Sequence, residues 1–241
     1  MLPLDAGVID AASPGGHPVS WVATGRSGGV SLPPFDSLNL ADHVGDDEDA
    51  VTENRRRCAR HAGVDALAVM GAVHGAQVAQ VHAGGLVPGV DGLVTREPGL
   101  ALLALAADCV PIALADPDRG VIGAVHCGWR GLAAGAAPAA VEAMRGLGAE
   151  RIEAVLGPSI CGSCYEVPGA RIDEVRAAVG ERIAARCVDG RHLDVAAGVR
   201  AQLEQLGVGV RVVPGCTAED AGLFSFRRDR ITGRQGMMVW R

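Results

Sequence analysis

Short apolar runs, each bounded by glycine or proline, constrain the fold of this chain more than any other feature of its sequence. Their length and their turn residues are typical of β-strands. The runs span residues 69–81, 101–114, 121–126, 152–156 and 208–213. Apolar side chains at three- and four-residue spacing predict helices over residues 132–147, 171–187 and 195–206. Asp173 lies early in the second stretch and Asp194 directly precedes the third, where acidic groups suit a helix N-terminus. The mixture predicts an α/β or α+β fold.

The chain is long and apolar enough to bury a substantial core. It has 241 residues, of which 49% are hydrophobic, and this argues against a disordered, fibrous or disulfide-stapled protein. It has no internal repeat, and its glycines and prolines are spread along the whole length instead of forming a linker. The sequence therefore predicts a single domain, residues 1–241.

The charged residues exclude several classes of function. All 22 cationic side chains are arginine, which removes Schiff-base and P-loop lysine chemistry. A net charge of −6 without a basic stripe argues against a nucleic-acid partner. The most apolar stretch ends at Asp108, well short of the ~18 residues that span a bilayer, and the first residues lack a signal-peptide pattern. We expect a cytoplasmic protein without membrane association, and we leave monomer and homodimer open.

Seven cysteines, an odd number, favour reduced thiols that serve as metal ligands or nucleophiles.

One of these cysteines can be placed by a predicted hairpin. The segment ADPDRG, residues 115–120, predicts a hairpin turn centred near Pro117 and Asp118. If strands pair about that centre, Cys109 lies opposite His126. Cross-strand partners have Cβ atoms roughly 4.5–5.5 Å apart, close enough for a thiolate and an imidazole to share a metal ion.

A third ligand is available in His74, whose neighbouring glycines allow close approach of another strand. His74, Cys109 and His126 would form a three-ligand zinc site with its fourth position open, which is the arrangement of catalytic zinc. Two alternatives stay open on the residues alone. One is a buried cysteine with two hydrogen-bonded histidines. The other is a nucleophilic Cys109 activated by His126, with Asp108 or His74 orienting the imidazole.

Three further segments carry weaker signals. Arg130 follows HCGW at the predicted start of a helix, where an anion such as phosphate could bind. Arg227 and Arg228 alternate with aromatic residues in FSFRRD, which suits a cleft wall and a half-buried strand equally. Cys161 and Cys164 have CxxC spacing, which could indicate a redox pair or a second zinc site, but no matching second pair follows.

Eight motifs follow one another over residues 24–235. They are TGRSGGVS, PFDSLNLADHVGDD, AVHG, DGLVT, AADCVPIALAD, AVHCGWRGL, LGPSICGSCYEV and FSFRRDRITGRQ. In this order they resemble the laccase-domain family, whose members act as purine nucleoside phosphorylases with adenosine deaminase activity. The resemblance implies a four-layer α/β/β/α sandwich with mixed sheets and a zinc site at His74, Cys109 and His126. It also places Asn39 and His43 in the substrate pocket. Two departures are Ala72, where the family has glutamine, and Cys161-Gly162, where it often has Gly-Pro.

The resemblance implies phosphorolysis of adenosine, inosine and methylthioadenosine, and deamination of adenosine to inosine. Asp108 is then the expected proton shuttle, and Arg130 and Arg228 are the expected phosphate ligands. A copper-linked polyphenol oxidase is one alternative, but the seven histidines include no His-x-His pair for a three-copper cluster. Cu²⁺ could still occupy the same three ligands. A thiol hydrolase that uses Cys109 and His126 is the other alternative.

Overall fold

The computed structural model describes residues 3–241. The strands are β1 (Pro3–Ile9), β2 (Val19–Thr24), β3 (Ala66–Gly71), β4 (Val78–Gln80), β5 (Gly85–Pro88), β6 (Gly92–Thr95), β7 (Leu100–Ala106), β8 (Val110–Asp116), β9 (Val121–Cys127), β10 (Glu153–Leu156), β11 (Val188–Asp189), β12 (His192–Leu193), β13 (Gly209–Val212) and β14 (Gln235–Trp240). The helices are α1 (Glu48–Ala62), α2 (Trp129–Ala134), α3 (Ala136–Gly146), α4 (Gly169–Val179), α5 (Glu181–Cys187), α6 (Val195–Gln205) and α7 (Phe226–Asp229).

Two six-stranded mixed sheets form the centre of the fold. The first sheet has the strand order β1-β2-β14-β7-β3-β5, and the second has the order β13-β10-β8-β9-β6-β4. One hydrophobic cluster, which includes Trp21 and Ile122, lies between the sheets. A second cluster joins the first sheet to α1, and a third joins the second sheet to helices α2–α6. This confirms the predicted four-layer α/β/β/α sandwich.

The central strands are apolar on both faces because each face meets a different core. In β8, Ile112 and Leu114 pack toward the helices, whereas Ala113 and Ala115 pack toward the other sheet. Small side chains on the inner face allow the two sheets to approach closely. Strands buried on both faces have continuous apolar sequences instead of alternating ones, and this is why the runs were recognisable in the sequence.

Several predicted element boundaries differ in the structure. The run 69–81 separates into β3 and β4, and the run 101–114 separates into β7 and β8, each pair lying in different sheets. The stretch 132–147 is divided at Gly135 and the stretch 171–187 at Gly180, because both glycines have a positive φ of 78° that a continuous helix does not allow. Asp194 caps α6 as expected by accepting a hydrogen bond from Ala197 N, whereas Asp173 lies beyond the first turn of α4.

The hairpin of β8 and β9 forms, but the predicted register is wrong by two residues. Pro111, and not Cys109, is the partner of His126, because the turn, residues 117–120, is centred one residue later than predicted. A shift of two residues preserves the face on which each side chain lies. Cys109 therefore remains on the same side as His126, one step before the start of β8. No helix of residues 3–241 combines the length and apolar character needed to cross a membrane.

Candidate metal centre and its cavity

The structure brings His74, Cys109 and His126 together, and we call these three residues the metal centre. Their ligand atoms all lie within 4.8 Å of one another. His74 lies in the connection from β3 to β4, Cys109 in the connection from β7 to β8, and His126 in β9. Both connections pass from one sheet to the other, so the metal centre lies at the end of the sandwich where the sheets exchange strands.

The backbone is strained at both connections. His74 has a φ of 63° and Asp108 a φ of 92°, values that residues other than glycine rarely adopt. Such conformations cost on the order of 1–3 kcal/mol each and cluster at functional sites. Gly128 also permits the arrangement, because a Cβ atom there would lie 2.8 Å from Cys109 Sγ. The local chain is therefore shaped to bring the thiol and the imidazoles together.

Asp91, which was not expected from the sequence, holds the two histidines. Its Oδ1 accepts hydrogen bonds from His74 N and from His126 Nδ1, both at 2.9 Å, and its Oδ2 accepts one from Gly75 N at 2.7 Å. With Nδ1 of His126 donating to Asp91, Nε2 is the nitrogen available to a metal ion. The carboxylate is fully buried. Its only signal in the sequence is its position in DGLVT, directly before β6.

Burial and neighbouring charges shift the pKa values of the metal centre in opposite directions. Burial alone would raise the pKa of Cys109, but the neighbouring His126 and His74 lower it to about 6. Burial alone would lower the pKa of His126, but the Cys109 thiolate and Asp91 raise it to about 9. Burial also favours the protonated form of Asp91, yet the hydrogen bonds from His126 and Gly75 hold its pKa below the usual value. The centre thus favours a thiolate, which is the form that binds metals.

A cavity of about 600 Å³ opens over the metal centre. Ligand pockets commonly fall between roughly 300 and 1,000 Å³. Its lining consists of His43, Met70, Ala72, His74, Leu105, Ala106, Ala107, Asp108, Cys109, His126, Gly128, Trp129, Arg130, Ile160, Tyr165, Arg171, Val195, Phe226, Arg227, Arg230 and Arg234. Five of these residues are arginines, whereas Asp108 is the one carboxylate among the described lining residues. The cavity is therefore suited to an anion.

Two of the arginines share an aromatic neighbour. The guanidinium carbons of Arg130 and Arg171 lie 4.9 and 4.5 Å from the centroid of the Trp129 ring. In residues 3–241, neither guanidinium forms an ion pair with a carboxylate. Stacking on Trp129 orients these groups, and no carboxylate of the described residues neutralises their charge. Arg130 was expected here from the sequence, whereas Arg171, which comes from α4, was not.

Asp108 lies on the cavity wall beside Cys109, held by three donors. Its Oδ1 accepts hydrogen bonds from Thr217 Oγ1 and Ser225 Oγ, both at 2.7 Å, and its Oδ2 accepts one from Arg227 N at 2.6 Å. These contacts join Asp108 to a part of the chain that lies 109–119 residues later in the sequence. The carboxylate therefore has a fixed orientation at the edge of the cavity, and a fixed orientation is needed for directed proton transfer.

Of the two residues that the resemblance places in the substrate pocket, one lines the cavity and the other does not. His43 lines the cavity with an exposed ring beside Asp42. Asn39 is fully buried instead, and its side chain bonds Ala41 and Asp46. Asn39 also accepts a hydrogen bond from Arg234 N, so its contact with the cavity is indirect.

Arg228 lies outside the cavity lining, contrary to the expectation of a phosphate ligand. Its guanidinium donates to the carbonyl oxygens of Thr217, Asp220 and Leu223 and pairs with Asp229. These bonds occupy the donors that phosphate would need. The neighbouring Arg227 lines the cavity instead, 5.0 Å from the centroid of the Tyr165 ring.

Comparisons with known proteins agree over almost the whole chain. A family model described as multi-copper polyphenol oxidoreductase laccase matches residues 20–241. A Streptomyces coelicolor protein named purine nucleoside phosphorylase is 52% identical, over 90% of this chain and 93% of its own. A Corynebacterium glutamicum protein with the same name is 42% identical, over 96% and 98%. The crystal structure of YlmD from Geobacillus stearothermophilus has a TM-score of 0.87 at 33% identity, covering 100% of this chain and 98% of that one.

Proposed function

This chain is a member of the family described as multi-copper polyphenol oxidoreductase laccase, and from that premise we propose that it is a zinc-dependent purine nucleoside phosphorylase. The observation that carries the proposal is the placement of a three-ligand metal centre and five arginines on one cavity. The names of the relatives support the choice of substrate. The proposed substrates are adenosine, inosine and methylthioadenosine. The products are the free base and ribose-1-phosphate or its methylthio derivative.

The chain's ligands do not suit multi-copper oxidation, despite the description of the family. Such chemistry needs a blue-copper site and a three-copper cluster built mainly from His-x-His pairs. The chain has seven histidines and no His-x-His pair. In the part of the chain that the structure describes, His74 and His126 are the histidines that join a cluster of three or more ligands. Purine chemistry is therefore proposed in preference to phenol oxidation.

The metal centre fits zinc by its donor set. One thiolate and two imidazoles are ligands that Zn²⁺ accepts in tetrahedral geometry, and three protein ligands are the number found at catalytic sites. His126 would bind through Nε2, because Nδ1 donates to Asp91. When bound, zinc would supply Lewis-acid polarisation and lower the pKa of water. Copper at the same ligands is the alternative that metal analysis distinguishes.

Phosphorolysis requires an anion held beside C1′ of the nucleoside. We assign this role to Arg130 and Arg171, which line the cavity, stack on Trp129 and lack a carboxylate partner among the described residues. Planar guanidinium groups match phosphate oxygens in pairs of hydrogen bonds. Arg171 thus takes the role that the sequence led us to expect of Arg228.

A second activity, deamination of adenosine at C6, is favoured by the position of Asp108. Its carboxylate borders both the metal centre and the cavity, and three donors fix its orientation. Asp108 would take a proton from the attacking water and return it to the departing amine. Replacement by asparagine keeps the shape of the side chain while removing the proton acceptor. Asp108→Asn is therefore expected to lose deamination.

The proposal is tested by chromatography of the products from inosine and adenosine. Zinc-loaded protein is incubated with and without phosphate, beside Cys109→Ala. Phosphate-dependent release of hypoxanthine and adenine, lost in the variant, is the expected result. Inosine and ammonia from adenosine without phosphate would establish the deaminase. If neither nucleoside changes, the purine proposal is wrong, and alkylation of Cys109 in zinc-loaded protein would then favour the thiol hydrolase.

The phosphate site has its own matched pair of variants. Arg171 and Arg176 both lie in α4, but Arg176 lies outside the cavity lining and pairs with Glu181. Arg171→Gln is expected to raise the KM for phosphate about tenfold, since the loss of one charge-assisted contact is worth about 1.4 kcal/mol or more. Arg176→Gln is expected to leave it unchanged. Equal effects of the two variants would remove Arg171 from the site.

A further inference from the structure

A second group of ligand atoms lies outside the cavity lining. It consists of Cys161, Cys164, Cys216 and Glu219, which we call the thiol cluster. Their three Sγ atoms and one carboxylate oxygen all lie within 4.8 Å of one another. The three cysteines are free thiols and are partly buried, whereas Glu219 is exposed.

The backbone places these side chains around one point. Cys161 precedes the 3₁₀ turn Gly162–Cys164 and Cys164 ends it, with Cys164 N donating to Cys161 O at 3.1 Å. Cys216 is 55 residues away and arrives through a parallel bridge with Ser159. Glu219 follows one turn after Cys216, with its N–H donating to Cys216 O at 3.1 Å. Two loops therefore supply two ligands each.

The contacts within the cluster are those of a preformed ligand set. Cys161 N donates to Cys216 Sγ at 3.3 Å, and such N–H donors stabilise a thiolate. Cys164 Sγ lies 3.5 Å from Glu219 Oε1. In a tetrahedral site with Zn–S bonds of about 2.3 Å, sulfur atoms lie roughly 3.8 Å apart. Because no two ligand atoms of the cluster are more than 4.8 Å apart, only a small contraction is needed to reach that geometry.

We propose that the thiol cluster is a second zinc site, structural in type, formed by Cys161, Cys164, Cys216 and Glu219. Three thiolates and a carboxylate provide four protein ligands, the number typical of closed structural zinc sites. Soft thiolates select zinc over magnesium or calcium. The CxxC pair lacked a second pair in the sequence, and the fold supplies Cys216 and Glu219 in its place.

The position of the thiol cluster indicates what a bound zinc ion would do there. Each cysteine is the neighbour in sequence of a residue that lines the cavity or holds a lining residue in place. Ile160 and Tyr165 line the cavity directly, and Thr217 donates to Asp108 Oδ1. A zinc ion that joins the two loops would fix this wall relative to the metal centre. The second zinc site is inferred from geometry alone and is independent of the reaction that the cavity performs.

The test is the zinc content of the full-length protein, purified without chelator and measured by mass spectrometry of the metals. We expect two zinc ions per chain in the wild type and one each in Cys216→Ala and Cys109→Ala. The double variant should hold none, and the control Cys58→Ala, a buried thiol outside both groups, should hold two. One zinc in the wild type with no loss in Cys216→Ala would overturn the proposal. So would a Cys161–Cys164 disulfide in the freshly purified wild type.

Glu219→Gln keeps the test decisive if Cys216→Ala does not fold. Because the Glu219 side chain is exposed, the variant should keep the wild-type circular dichroism spectrum. We expect one of its two zinc ions to pass to a competing chelator about tenfold faster than in the wild type, since the site has lost its charged fourth ligand. The other ion should be unaffected. Identical release of both ions in variant and wild type would overturn the proposal.

Discussion

The metal centre and the thiol cluster use similar ligands but differ in number and exposure. The metal centre offers three candidate ligands from three separate segments, lies beneath a cationic cavity and is held by the buried carboxylate of Asp91. The thiol cluster offers four candidate ligands from two loops and lies outside the cavity lining. Three ligands leave a position for substrate, whereas four close the coordination sphere. We therefore assign chemistry to the first region and rigidity to the second.

The largest expected effect is on phosphorolysis. Cys109→Ala should lower kcat/KM by about a thousandfold, or about 4 kcal/mol, because the ion is lost with its thiolate ligand. Cys164→Ala should lower it by less than about tenfold, since that variant loosens a wall without removing a reacting group. Steady-state kinetics on inosine with saturating phosphate compares the two. An equal loss of kcat/KM in Cys109→Ala and Cys164→Ala would contradict the assignment of a chemical role to one region and a structural role to the other.

The next effect concerns Asp91, which has no counterpart in the thiol cluster. Asp91→Asn preserves the shape of the side chain but places an amide donor or a weaker acceptor against His126 Nδ1 and His74 N. Changes of this kind cost about 10–100-fold in metal affinity. Competition with a chromophoric chelator should show weaker binding at the metal centre and unchanged binding at the thiol cluster. Retention of wild-type affinity would mean that Asp91 only supports the fold.

Some residues of the candidate site could be predicted from the sequence, and others could not. His74, Cys109 and His126 were found because ligand residue types fell near a predicted hairpin, and the register error of two residues kept them on one face. Asp91 was missed because an acidic residue before a strand has no distinctive pattern. Arg228 was selected by residue type, but its donors are taken by backbone carbonyls, which only the folded chain reveals.

Contacts between distant segments were equally hard to predict. The run 101–114 has the pattern of one apolar strand, and only the left-handed turn at Asp108 shows that it passes between sheets. Cys161 and Cys164 gave an incomplete motif because their partner Cys216 lies 55 residues away. The helices and strands, and the layers that they form, can be predicted from the spacing of apolar residues in the sequence. Contacts between loops cannot be predicted in this way, because they depend on how the two sheets pack.

A smaller effect is a difference between Cys109 and Cys58 in how their reactivity depends on pH in metal-free protein. Because His126 and His74 outweigh burial and lower the pKa of Cys109 to about 6, its thiolate fraction rises about tenfold between pH 5 and pH 7 and then levels off. Burial raises the pKa of Cys58 to about 12, so that thiol stays protonated over the same range. Iodoacetamide labelling followed by peptide mass spectrometry measures both. Added zinc should protect Cys109, and a rate that still climbs above pH 8 would contradict the assigned pKa.

The smallest effect is thermal and belongs to the thiol cluster. An ion present at about 100 times its dissociation constant stabilises the folded state by about 2.7 kcal/mol. For a chain of this length, that corresponds to a change of roughly 5–10 °C in Tm. Cys216→Ala should show this decrease in scanning calorimetry, and chelator should then lower its Tm less than it lowers that of the wild type. Cys58→Ala is the control, because it removes a buried thiol without removing a ligand and should keep the full response to chelator. If chelator lowers the Tm of Cys216→Ala as much as that of the wild type, all metal-dependent stability lies in the metal centre, and the thiol cluster holds its loops together by hydrogen bonds alone.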